Sequence, residues 1–231
     1  MLFFLPHFSR KTELTITTTE PKFIPQEAVE LKLAGEVTIR VRLVDCVGFM
    51  VEGAAGHLED GAERLVKTPW YDHEIPFTQA AELGTRKVIT DHSTIGVVVT
   101  TDGSFSDLPQ ETYLDAENQA ISELKKLHKP FLVLVNSSHP SSRTAREAAE
   151  RIEKQHSVAA MPVNCAQLSE EDIRQIMEQI LYEFPVSRVE FYMPKWVEML
   201  PFSHPLKTGL IEKIRELTGK IRTIRDVAEH P

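Results

Sequence analysis

The clearest hydrophobic pattern runs from Val37 to Gly48. Val37, Ile39, Val41 and Leu43 alternate with Thr38, Arg40 and Arg42, which is the two-residue period of a half-buried strand. The alternation ends at Val44, and the strand runs out in Asp45-Cys46-Val47-Gly48. Upstream, Val29, Leu31 and Leu33 alternate in the same way, and Ala34-Gly35-Glu36 reads as a turn. The organising strand is therefore predicted to be the second arm of an antiparallel hairpin. A different pattern follows from Ile95. Ile95–Thr100 and Phe131–Val135 are continuous apolar runs, as expected of strands buried on both faces. Val158–Val163 is a shorter strand, and Arg188–Met193 reads as a last one.

Between these lie helical periodicities. One is capped by Thr78 and runs to His92, with Ala81, Val88 and Ile89 inward. A second covers Tyr113–Leu127, with Leu114, Ile121, Leu124 and Leu127 inward. A third starts from a cap at Ser141 or Ser142 and ends at His156, and a fourth opens on Ser169-Glu-Glu-Asp172 and ends at Tyr182. Leu210, Ile214, Leu217, Ile221 and Ile224 form a heptad-type stripe on a late helix. Strands alternating with helices imply right-handed βαβ units and a mostly parallel sheet covered on both faces.

Such sheets bind ligands at the carboxyl ends of their strands. Those ends are Asp45–Gly48, Thr100–Gly103, Asn136–Pro140 and Asn164–Ala166, each polar on an apolar strand. An Asp-x-x-Gly at a strand end suits a nucleoside triphosphatase: the carboxylate orients the water shell of Mg²⁺, and glycine leaves an N–H with no Cβ before the terminal phosphate. A Thr-rich extended stretch, Thr15–Lys22, precedes the hairpin. The order of parts is that of the GTPase-like branch of P-loop proteins. In that branch a switch threonine reaches Mg²⁺, and Thr18 is the candidate here, with Thr17 and Thr19 beside it. Asn136 stands where guanine-specific proteins carry Asn-Lys-x-Asp. Ser137 and His139 replace the lysine and the aspartate, so guanine preference has no carboxylate to rest on and adenine fits better.

Composition narrows the reading without redirecting it. The 231 residues are 42% hydrophobic and 26% charged, enough for one α/β domain with an appendage. A net charge of −8 argues against general nucleic-acid binding, which needs a basic face. The two cysteines, Cys46 and Cys165, form no Cys-x-x-Cys pair and read as reduced thiols rather than zinc ligands. The 49–76 stretch reads as a long loop. Its Glu59, Asp60, Asp72, His73 and Glu74 repeat no ligand spacing, and Trp70 and Tyr71 read as loop anchors. Asp102 is equally consistent with an active-site rim and with a turn.

Longer stretches resemble a known family. Asp60–Ile89, His92–Val97 and Thr100–Gly103 resemble stage IV sporulation protein A, as do Thr18–Phe23, Leu43–Gly48, Lys129–Phe131 and Val135–Ser137. The resemblance implies a spore coat morphogenetic ATPase with ATP as substrate and Mg²⁺ as cofactor. It implies self-assembly into a polymer of the coat basement layer, with spore coat proteins and a small amphipathic membrane-bound peptide as partners. The implied place is the mother-cell cytoplasm, at the surface of the outer forespore membrane, with only peripheral membrane contact. Thr18, Asp45 and Gly48 would be the catalytic group, with Thr18 and Asp45 on Mg²⁺. Asn136, Cys165 and Ala166 would flank the base.

One departure stands out. No Gly-x-x-x-x-Gly-Lys-[Ser/Thr] occurs in the sequence; Ser9-Arg10-Lys11-Thr12 comes nearest, with Arg10 and Leu5 at the glycine positions. The expectation is an α/β GTPase-like P-loop NTPase sheet, mostly parallel with one antiparallel hairpin. It would lack its P-loop and first strand and leave the central strand position vacant. Residues 1–16 are unplaced, 17–185 form the incomplete ATPase domain, and 186–231 begin a middle domain with an amphipathic helix. The functional expectation is an ATP-hydrolysing morphogenetic protein in incomplete copy. The alternative is a non-catalytic assembly scaffold that binds no nucleotide.

Overall fold

The computed structural model describes residues 2–4, 22–33, 38–51, 53, 57–59, 61–105 and 108–229. The chain divides into two units, Met1–Ile180 and Leu181–Pro231.

The first unit is built on a six-stranded sheet in the order β10-β9-β8-β1-β3-β2. Its strands are β1 Leu2–Phe4, β2 Lys22–Lys32, β3 Thr38–Cys46, β8 Gly96–Thr101, β9 Phe131–Asn136 and β10 Ala160–Val163. Every neighbouring pair is parallel except β2 with β3. The expected hairpin is thus present, with its register shifting between Ile24 and Val29. The expected vacancy is not. Leu2–Phe4 lies between β3 and β8, with Phe4 opposite both Cys46 and Val98. An apolar tripeptide suffices because a central parallel strand needs only backbone pairing on both sides. Three residues are too few to show a strand period.

The burial of β3 records its two neighbourhoods. Along Thr38–Leu43 exposed and half-buried residues alternate, as in a hairpin arm; Val44 is buried where β1 joins. β8 and β9 are buried at every position. Val44, Val98, Ile121, Leu124, Val133, Val135 and Ile152 belong to one core cluster, which links the sheet to its helices. Gly96 is demanded by this packing: a Cβ there would stand 2.8 and 2.9 Å from the Leu124 methyls and 3.0 Å from Phe131 Cβ.

The helices of this unit are α1 Phe77–Lys87, α2 Leu114–Lys126, α3 Arg143–His156 and α4 Glu170–Tyr182, the last running through Ile180 at the unit's end. Ser142 caps α3, its Oγ accepting the Ala145 N–H at 3.1 Å. At α4, Ser169 Oγ accepts the Asp172 N–H and the Asp172 carboxylate accepts the Ser169 N–H, a reciprocal capping box. Three helical expectations are corrected. Pro76, not Thr78, precedes α1, and the Thr78 hydroxyl bonds Glu63 instead. The helix does not continue as α to His92; Val88–His92 is a π turn. Leu127 follows the end of α2 and is exposed.

The long stretch after Gly48 is not bare loop. It holds two small antiparallel hairpins, β4 Leu58–Glu59 with β5 Ala62–Glu63 and β6 Leu65–Thr68 with β7 Tyr71–Pro76. β7 leads straight into α1.

The second unit contains α5 Lys195–Glu198, α6 Pro205–Lys220 and α7 Ile224–Glu229. The strand expected over Arg188–Met193 is absent: that segment forms no regular element and is mostly exposed. The late stripe also differs. α6 stops at Lys220 and Ile221 is extended, so no single helix carries the stripe to Ile224. Lys207, Ile211, Ile214 and Thr218 form the more buried side of α6, while Leu210 and Leu217 are exposed. Lys207 is sheltered because its ammonium donates to the Glu198 and Leu200 carbonyls at 2.8 and 2.9 Å. Arg225 pairs with Glu183, and Pro185 bridges to Thr223.

Candidate functional site at the carboxyl edge of the sheet

The strand order reverses at β1, since the chain goes to β3 and β2 on one side and to β8, β9 and β10 on the other. A crevice at such a reversal is where open α/β sheets hold ligands. β3 brings Asp45 there, opposite Phe3 of β1 and Lys22 of β2. The Asp45 side chain is exposed.

Gly48 lies three positions on, buried and at φ +85°, a left-handed conformation that favours glycine. Its N–H does not face solvent. It donates to Thr85 Oγ1 of α1 at 3.0 Å, and Thr85 Oγ1 donates back to the Gly48 carbonyl at 3.1 Å. One fully buried hydroxyl thus closes both backbone groups of the glycine. Cys46 joins the cluster through hydrogen bonds to Thr85 and to the Gly48 backbone. Burial is nonetheless the larger effect and pushes its thiol up to about 11. The phosphate-facing N–H expected of Gly48 is therefore engaged with Thr85 in this structure.

The carboxyl ends of β9 and β10 lie side by side, Asn136 opposite Val163. Asn136 is buried and its Oδ1 accepts the Cys165 N–H at 2.9 Å. Ala166 N–H is held by Asn164 Oδ1 at 3.1 Å. Ser137 N–H donates to the Val163 carbonyl at 2.8 Å. Asn136 therefore ties the two loops together, and Cys165 and Ala166 stand beside it. Burial alone raises the Cys165 thiol to about 11.

Asp102 resolves as a turn-former at the rim. Its carboxylate accepts from Ser104 N–H and Oγ at 3.0 and 2.5 Å, around Gly103 at φ +86°. Asp102, Gly103, Ser104, Ser137, His139, Ser142 and Thr144 line an open cleft of about 380 Å³. Ser104 Oγ also accepts the Ser138 N–H at 2.9 Å, which joins the β8 and β9 loops.

Several residues were not singled out by sequence. Thr85 is one, because an isolated threonine inside a helix carries no motif. Glu117 is another. It is buried in α2, accepts from Thr100 at 2.8 Å and pairs with both Arg151 nitrogens at 2.9 and 3.1 Å. Lys129 is the third, its ammonium donating to the carbonyls of Ile89, Thr90 and Ser93 at 2.5, 3.0 and 2.6 Å. It gathers the acceptors freed by the π turn, and burial lowers its pKa.

Mg²⁺ suits a single carboxylate with water and phosphate oxygens as its other ligands. Asp45, exposed at the switch of strand order, is a donor of that kind, whereas no group of three His, Cys, Asp or Glu among the described residues could hold a metal by itself. Thr18, and the Ser9–Thr12 segment compared with a P-loop, lie outside the described residues. No helix among the described residues is long and apolar enough to cross a membrane.

A mostly parallel sheet, covered by helices and carrying Asp45 and Gly48 at its carboxyl edge, makes an α/β domain consistent with a P-loop-NTPase-like class. The sequence model of the stage IV sporulation protein A ATPase domain matches residues 5–185, and that of the same family's middle domain matches 186–230. The chain belongs to the stage IV sporulation protein A family. It is 45% identical to stage IV sporulation protein A of Clostridioides difficile strain 630 over 213 residues. Identity to the proteins of that name in Bacillus anthracis and Bacillus subtilis strain 168 is 39% over 213 residues. Each comparison covers 92% of this chain and 43% of the relative's length.

Proposed function

We propose that the chain is an ATP-binding and ATP-hydrolysing morphogenetic protein that drives assembly of the spore coat basement layer. The observation that carries this reading is Asp45 at the carboxyl edge of β3, beside a filled central strand, in a domain of the sporulation ATPase family. Asp45 would hold Mg²⁺ through its water shell, together with Thr18. The ion would offset charge on the phosphate oxygens. The β9 and β10 loops that Asn136 joins would flank the base, and adenine is the base because no carboxylate stands at His139. The GTPase-like branch is supported by the single antiparallel hairpin beside the central strand. The assembled polymer would lie on the mother-cell face of the outer forespore membrane, bound there by a small amphipathic peptide and overlaid by coat proteins.

A second reading is a non-catalytic scaffold, which the engagement of the Gly48 N–H by Thr85 rather than by an open phosphate site favours. The two separate in one experiment. Phosphate release and pelleting by ultracentrifugation are followed with Mg²⁺-ATP for the chain and for Asp45→Asn. The ATPase reading expects phosphate release and ATP-dependent pelleting, both lost in Asp45→Asn. Pelleting that is indifferent to ATP and to Asp45 would establish the scaffold instead.

A further inference from the structure

The Gly48 N–H carries one proton and can serve one strong acceptor. That acceptor is the Thr85 hydroxyl, at 3.0 Å, while the same hydroxyl spends its own proton on the Gly48 carbonyl at 3.1 Å. The contact joins residues 37 apart, from the loop after β3 to the last turn of α1. A terminal phosphate accepting from Gly48 must therefore displace Thr85. The Cys46 thiol lies at the same hydroxyl and the Gly48 backbone, so the three residues form one buried cluster.

We propose that Thr85 is a positioning residue that latches the Asp45–Gly48 loop shut, and that a terminal phosphate competes with it for the Gly48 N–H and releases α1. The inference rests on the nucleotide reading above. The latch reaches further than the loop. α1 runs directly into the π turn, whose carbonyls Lys129 holds. β7 and its hairpin precede α1 without a break. A shift at Thr85 is thus transmitted to the 49–76 segment on one side and to the start of β9 on the other. The signal is specific for a triphosphate, because a diphosphate lacks the γ-phosphate that would take the N–H.

The test compares the full chain with Thr85→Val, which keeps the shape and removes the hydroxyl, and Thr85→Ser, which keeps the hydroxyl. Affinities for Mg²⁺-ATP and Mg²⁺-ADP are measured by equilibrium titration. Two hydrogen bonds of ordinary net strength predict that Thr85→Val binds ATP on the order of tenfold more tightly, with ADP affinity unchanged. Thr85→Ser should match the parent chain. Hydrogen exchange on the parent chain gives a second readout that needs no variant: ATP, and not ADP, should speed amide exchange around Thr85 in α1. If the parent binds ATP, an unaltered ATP-to-ADP ratio in Thr85→Val overturns the latch and leaves the nucleotide reading standing. Unchanged exchange in α1 on ATP binding does the same. Absence of ATP binding by the parent and both variants overturns the latch together with that reading.

Discussion

Glu117 of α2 and Arg151 of α3 face each other in a two-point ion pair, at 2.9 and 3.1 Å, and the carboxylate also receives the Thr100 hydroxyl. The Glu117 side chain is 1% exposed and that of Arg151 31%. The pair thus couples two helices and β8 just below the carboxyl edge. A buried charge stripped of its partner has no water to replace it.

Arg151→Met should accordingly destabilise the chain by about 3–5 kcal/mol in urea denaturation, because it leaves the buried Glu117 carboxylate uncompensated. Glu117→Gln should cost less, since the amide oxygen can still accept from Thr100. Adding it to Arg151→Met should recover part of the loss. Equal stability of the Arg151 variant and the parent would refute this role.

Gly96 is fixed by space rather than by backbone conformation. Gly96→Ala drives a Cβ into Leu124 and Phe131, and overpacking of this kind costs about 1–3 kcal/mol. The side-chain ends of Leu124 can be shortened, whereas Phe131 Cβ sits on β9 itself. Leu124→Ala in the Gly96→Ala background should therefore be less damaging than the sum of the two single changes. Strict additivity in thermal or chemical denaturation would contradict the packing.

Both thiols are pushed from an ordinary value of 9.0 up to about 11. The folded state thus keeps protons that the unfolded chain gives up. Their contribution to stability is complete below pH 9 and is lost as pH rises from 9 to about 11. Below that range the native thiolate fraction is on the order of 100-fold smaller than in the unfolded chain. Alkylation by iodoacetamide at neutral to mildly basic pH should be slower in the native chain to a similar degree. Native rates equal to those in denaturant would show that neither thiol is sheltered.

Asn136 spends its side-chain oxygen on the Cys165 N–H. Asn136→Ala should leave that N–H without its acceptor and cost about 1–3 kcal/mol. The loosening should be confined to the β9 and β10 loops. Amide exchange at Cys165 should rise in the variant while that of β8 stays as in the parent. Uniform loosening across the sheet would mean that Asn136 supports the core and not the loops.

Much of this architecture was legible in the chain. The fully apolar runs at β8 and β9 and the caps at Ser142 and Ser169 announce their elements by local chemistry, which tertiary contacts then reinforce. β1 was not legible, because three apolar residues have no period; only its seat between β3 and β8 makes it a strand. The small hairpins after Gly48 are too short for a pattern, and the expected strand at Arg188–Met193 had the composition of one but no pairing partner. At the site, the sequence pointed to Asp45, Gly48 and Asn136 by their place after strands. It was silent on the roles of Thr85, Glu117 and Lys129, whose partners are 37, 17 and 34, and 36–40 positions away. Motifs are local, and contacts of that range are set by the fold.

Whether this carboxyl edge receives a nucleotide decides between an ATPase and a scaffold. The most direct measurement is an equilibrium titration of the full chain with fluorescent ATP in Mg²⁺, repeated with GTP as competitor and with Asp45→Asn. Saturable binding that ATP displaces better than GTP, and that weakens when Asp45 loses its charge, is the predicted result. A flat titration, or binding indifferent to Mg²⁺ and to Asp45, would contradict it.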